Sequence, residues 1–249
     1  MTLFDKVVFK TPVVRVNNRD LNIAFYESTL GFKLISEENA IAIFSSWENP
    51  ENTFIIEESP EYRTRAVDGT KKLAKIVVKT SKKDIEQLLA RDNDFEKIFQ
   101  GQNGYAFEAV SPEGDHFILH CEDNLNELKE INKPEIKKEE HYKGISHFTF
   151  ESITLNVLNK EESQSFYQDL FDGQFPIHLD FQEAEGDDLQ IEPNETWDIE
   201  ILENQVPSDF DLLALKKAIE SKGYSAYLDA KETVLVLSDL SNIEIWFQK

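Results

Sequence analysis

Cysteine is nearly absent: Cys121 stands alone in 249 residues. No disulfide can form within the chain, which fits a reducing compartment. Long apolar runs are missing too. No stretch approaches the roughly 18 apolar residues of a membrane span. The opening MTLFDKVVFK lacks the apolar core of a signal peptide, so the expected compartment is the cytoplasm. Bases are scarce in the second half. Residues 144–249 hold 22 acids and 6 bases, against 26 and 20 in residues 1–143, and the whole chain carries a formal charge of −22. A surface this acidic argues against nucleic acid and anionic membranes as partners. The signatures of hydrolytic chemistry are missing as well. There is no His-Glu-x-x-His, no Gly-x-Ser-x-Gly, and neither Asp-Thr-Gly nor Asp-Ser-Gly.

What is present is a repeated order of elements. TPVVRV reads as a strand, and the stretch capped by Asn18 or Asp20 as a helix that carries Phe25-Tyr26 and stops at Gly31. FKLIS, AIAIFSS and TFIIEES read as three strands, giving β-α-β-β-β. LAKIVVKT, SKKDIEQLLA, FEKIFQG, YAFEAVS and HFILHCE repeat that order, with SPEGD as a turn. A charged stretch to Lys143 reads as a linker. Beyond it, SITLNVLNKEESQSFYQDLFD lies on TPVVRVNNRDLNIAFYESTLG without a gap, at an offset of 141 residues. WDIEILE, DFDLLALKKAIESKGY, SAYLD, TVLVLS and IEIWFQ supply a fourth unit. The expected domains are 1–123 and 144–249, joined by 124–143.

The strand, the Phe-Tyr helix, Leu30-Gly31-Phe32 and the closing SPEGDHFILH together resemble the vicinal oxygen chelate superfamily of glyoxalase I, extradiol dioxygenases and bleomycin-resistance proteins. The doubled arrangement also resembles the streptococcal complement C3-degrading proteinase family. The resemblance implies an α+β fold of paired βαβββ modules, with two such two-module domains in tandem. It further implies a proteinase, a hydrolase acting on complement C3, which would call for release to the cell surface or beyond.

The superfamily's enzymes chelate a divalent metal with His, Gln or Glu on the first and last strands of a unit. By that resemblance the ligand positions fall on Thr11, Leu73 and Ile118, none of which suits a metal. His116 and His120 flank Ile118, but on a strand they stand roughly 13 Å apart and cannot share an ion. Cys121 and its neighbour His120 point to opposite faces, so they form no direct dyad.

Alternation divides the strands into two faces. Val14, Val16, Ile76, Val78, Phe117 and Leu119 should meet the helices. Thr11, Val13 and Arg15, with Leu73, Lys75, Val77, His116, Ile118 and His120, should line the open cup. If pairing follows the superfamily, Arg15, Lys75, His116 and His120 make a mildly basic N-terminal cleft; alternatively these long side chains reach the rim and stay solvated. The C-terminal cleft takes Ser152, Asp198, Glu200, Leu202, Glu244 and Trp246, with Ile199 and Ile201 facing the helices. No cofactor is expected, although the acids of that cleft leave a divalent cation open. Catalytic residues are not identifiable. Three functions stand: a proteinase by resemblance, a non-catalytic protein that binds a small ligand or a peptide, and a metal enzyme using the C-terminal acids.

Overall fold

The computed structural model describes residues 4–59 and 61–249. The first unit is β1 (Val8–Val16), α1 (Arg19–Ser28), β2 (Lys33–Glu38), β3 (Ile41–Ser45) and β4 (Phe54–Glu58). The second is β5 (Leu73–Lys79), α2 (Lys82–Leu89), β6 (Lys97–Gln100), β7 (Tyr105–Val110) and β8 (His116–His120). A short strand, β9 (Lys129–Ile131), follows. The third unit holds only β10 (Thr149–Val157), α3 (Lys160–Leu170) and β11 (His178–Glu183). The fourth is β12 (Ile199–Gln205), α4 (Leu212–Ser221), β13 (Tyr227–Leu228), β14 (Val234–Ser238) and β15 (Glu244–Gln248).

Each helix starts where a side chain takes an otherwise orphaned amide. Asn18, rather than Asp20, accepts from the Leu21 amide at 3.0 Å, and Asn159 does the same from Glu162, also at 3.0 Å. Ser81 and Asp211 cap α2 and α4. After α1 the chain reverses at Gly31, whose φ of +75° suits glycine. At the 141-residue offset Asp172 takes the same turn, with φ +52°, since a short polar side chain tolerates this region.

The units pair in an order that the sequence does not announce. β1 lies antiparallel to β12 and β5 antiparallel to β10. One sheet therefore runs β13-β14-β15-β12-β1-β4-β3-β2, joining the first unit to the fourth. The other runs β11-β10-β5-β8-β7-β6-β9, joining the second to the third. The cores divide differently. Tyr26 packs on Phe32, Phe44, Phe54 and Phe117, all from the first two units. Tyr167 packs on Phe171, Phe175 and Phe181, and Phe171 reaches Phe247 in the fourth unit. The two aromatic clusters also meet across the halves, Phe4 packing on Phe171 and Phe32 on Phe148, so the core as well as the sheets joins them. At about 1.5–3 kcal/mol per large apolar side chain, these clusters dominate what holds the fold.

The stretch expected as a linker is docked. β9 adds to the edge of β6. Gln87 of α2 donates to the Lys137 carbonyl at 3.2 Å and accepts from the Glu139 amide at 2.8 Å. The third unit departs from the expected βαβββ: β11 pairs parallel with β10, in the place β4 holds beside β1, and two strands have no counterpart.

Candidate functional site: two polar sheet faces

Both first strands are bulged, at matching places. β1 slips register between Phe9 and Thr11 and again between Val13 and Val14. β10 slips between Phe150 and Ser152 and between Thr154 and Leu155, at the same 141-residue offset. The extra residues are Lys10 and Glu200 in one junction, Glu151 and Ala74 in the other. A bulge inserts one residue and reverses the alternation beyond it. Three face assignments change as a result. Leu73, expected in a cup, is buried in the core, and so is Leu202, while Ile201 comes opposite Val13 on the polar face.

The first sheet gathers Thr11, Arg15, Glu200, Glu244 and Trp246 from both expected clefts. Arg15 is 4% exposed. Its guanidinium donates through Nε and Nη2 to the two oxygens of Glu200, both at 2.7 Å, and Nη2 also donates to Asn194 at 2.6 Å. Burial works against this charge, and Glu200, with Glu57, more than restores it, so its pKa rises. The Thr11 hydroxyl donates to the Pro12 carbonyl at 2.8 Å, and the Trp246 indole donates to Glu244 at 2.7 Å. Asp198 belongs to neither face. It is buried between the sheets, accepts from the amides of Lys72 at 2.5 Å and Leu73 at 3.0 Å, and burial pushes its carboxyl up while Lys71 opposes.

The second sheet gathers Lys75, His116, His120 and Ser152. Thr154 lies opposite Lys75 and Ser152 opposite Val77, which neighbours Ile118. His116 Nδ1 meets Glu108 at 2.7 Å. His120 is buried, with Nε2 2.9 Å from Glu151, and its Nδ1 accepts from the Glu122 amide at 3.1 Å. Burial holds this imidazole below its ordinary value, with Glu151 opposing. Lys75 is half-buried and has no ion-pair partner among the described residues.

The clefts expected from sequence are thus re-sorted. Arg15 stands apart from Lys75 and the histidines, and both histidines, as well as Arg15, have carboxylate partners. Glu108 was missed although it lies across from Ile118. Glu151 was missed because it occupies a bulge, which leaves no trace in composition.

The metal implied by the resemblance finds no suitable donors at its expected positions. Thr11 spends its hydroxyl on the backbone, Leu73 is in the core, and Ile118 is a hydrocarbon. Among the described residues no three His, Cys, Asp or Glu side chains are grouped to hold a metal ion. Cys121 is no better placed as a nucleophile. Its Sγ sits 3.7 Å from the Tyr105 carbonyl, and burial, then Glu122, push the thiol pKa up.

Residues 9–131 match the family described as CppA N-terminal, and residues 145–247 the one described as CppA C-terminal. The crystal structure of the cppA protein from Streptococcus pneumoniae TIGR4 is 33% identical, covers 98% of each chain and superposes with a TM-score of 0.84. The chain belongs to the CppA family. Glyoxalase I from Zea mays, at 13% identity, covers 98% of this chain and 92% of its own with a TM-score of 0.59, which shows the shared glyoxalase fold. No curated protein matches. For this CppA-family chain the paired βαβββ architecture read from the sequence holds, with the third unit shortened. Among the described residues no helix is long and apolar enough to cross a membrane.

Proposed function

We propose that this CppA-family protein is a metal-independent binding protein that takes an anionic small molecule, or a peptide carboxylate, on the polar face of its second sheet. The observation that carries the reading is the contrast between two cations. Arg15 is closed off by a bidentate, buried pair with Glu200. Lys75 lies on a face with Ser152, Thr154 and the 43% exposed side chain of His116, and no carboxylate neutralises it. A ligand carboxylate would supply the missing partner, with hydroxyls beside it. The test is calorimetric titration with small dicarboxylates. Lys75→Gln should weaken binding at least tenfold and Glu244→Gln should leave it unchanged; the reverse pattern would remove the proposal.

The proteinase reading implied by the C3-degrading resemblance rests on the His116–Glu108 pair, which resembles an oriented general base and whose histidine is more exposed than that of the His120–Glu151 pair on the same face. Neither Ser152 nor Cys121 hydrogen-bonds to a histidine among the described residues. Incubation of C3 with the protein and with His116→Ala decides this reading: cleavage abolished by the substitution supports it, and intact C3 in both removes it.

A further inference from the structure

The shortened third unit leaves a sheet edge and a pocket side by side. In the first unit β3 and β2 extend the sheet beyond β4 and cover the flank of α1. In the third unit no strand among the described residues pairs beyond β11. A pocket of about 770 Å³ opens there, lined by Tyr167, Phe175, Ile177, Leu179 and Phe181 with Gln164 of α3. Unpaired edges invite strand addition, and proteins usually protect them with bulges, lysine, proline or shortness. The other three edges show such protection. β2 is bulged between Leu34 and Ser36 and begins with Lys33, β9 has three residues, and β13 has two. β11 runs six residues without a register shift and contains neither lysine nor proline.

We infer that β11 is a docking edge for an extended, basic segment of a partner polypeptide, added as a further strand. The Ala184 amide donates to Val157 of β10, so alternation turns the N–H and C=O groups of Leu179, Phe181 and Glu183 to the open side. An added strand would pair with these groups. Its side chains would alternate between the pocket on the core side, where Phe175, Ile177, Leu179 and Phe181 stand beside Gln164, Ser165 and Gln168, and the exposed Asp180 on the other, where His178 lies 3.1 Å from the carboxylate. Apolar residues interleaved with lysine or arginine therefore fit both faces. The charge selects the same partner: β11 itself carries exposed Asp180 and Glu183, in the half that holds 22 acids to 6 bases. That charge also disfavours a second copy of this chain. Asp180 lies opposite Thr154 and His178 opposite Ser152, so the edge borders the polar face of the proposed anion site, but the inference rests on backbone pairing and does not depend on that reading.

The probe is a fluorescent decapeptide alternating lysine and valine. Its controls are a glutamate–valine peptide and a backbone N-methylated lysine–valine peptide, which cannot pair as a strand. Anisotropy at low ionic strength should show binding of the first alone, and hydrogen exchange should slow at Leu179, Phe181 and Glu183. Leu179→Pro removes one outward amide at an edge where proline is tolerated, and should weaken binding at least tenfold while dicarboxylate binding persists. Should that variant misfold, Asp180→Lys with Glu183→Lys, both exposed, should invert the preference towards the glutamate peptide. Equal binding of the N-methylated peptide, unprotected edge amides, or dimerisation through β11 in place of peptide binding would overturn the inference.

Discussion

Tyr26 and Tyr167 occupy the same place in two copies of one helix, yet their surroundings differ. Tyr26 is sealed by strands on both sides of Phe54, and its hydroxyl lies by the Ser111–Asp115 turn without a well-formed hydrogen bond. Tyr167 borders the open pocket, and its hydroxyl donates to buried Asp239 at 2.9 Å. The N-terminal copy relies on packing. The C-terminal copy has lost two strands of cover and anchors its ring through a carboxylate. The same aromatic pair can therefore centre a complete unit or a shortened one, provided something else holds the ring.

That contrast can be broken at several strengths. Tyr26→Ala should cost about 4 kcal/mol in urea denaturation, and Tyr167→Ala about 3, because one wall of its site is already open. Equal costs would mean the pocket is closed in solution. Arg15→Ala should cost about 3 kcal/mol by the same measurement, since it strands Glu200 as a buried charge, and Lys75→Ala should cost little. Removing only the hydroxyls separates the copies more finely. Tyr167→Phe should cost about 1 kcal/mol and Tyr26→Phe close to nothing.

The smallest effect is in pH. Burial raises the pKa of Asp239, so the folded chain holds this proton more tightly than the unfolded one, where Asp titrates near about 3.9. The stabilisation this provides is complete below that value and is lost as pH rises through the folded value. Asp239→Asn keeps an acceptor for the Ser241 and Ile243 amides. It should gain stability relative to the parent chain as pH rises from about 4 to 7. A constant difference across that range would show that Asp239 does not titrate in the folded state.

The sequence made the units legible because their signals are local. Asn18, Gly31 and the Phe25-Tyr26 pair each act within a few residues, and the 141-residue offset repeated most of them. The pairing of first unit with fourth was not legible. Alternation fixes which face of a strand is buried but says nothing about which neighbour it meets, and Val14 and Ile153 are buried equally well by either arrangement. The site suffered most from the bulges. One inserted residue at Ala74 turned Leu73 into the core, and one at Glu200 did so for Leu202, while the pairing of first unit with fourth set Arg15 against Glu200 and dissolved the expected opposition of a basic and an acidic cleft. Lys75 and His116 share one face of the second sheet with Ser152, which the sequence assigns to the other cleft.

The most direct test of metal-independent binding is calorimetric titration of a small dicarboxylate into the chelator-stripped full chain, repeated with manganese or zinc added. The account predicts the same affinity and enthalpy in both, with no metal retained in proportion to protein. Binding that appears only when a metal ion is restored would contradict it.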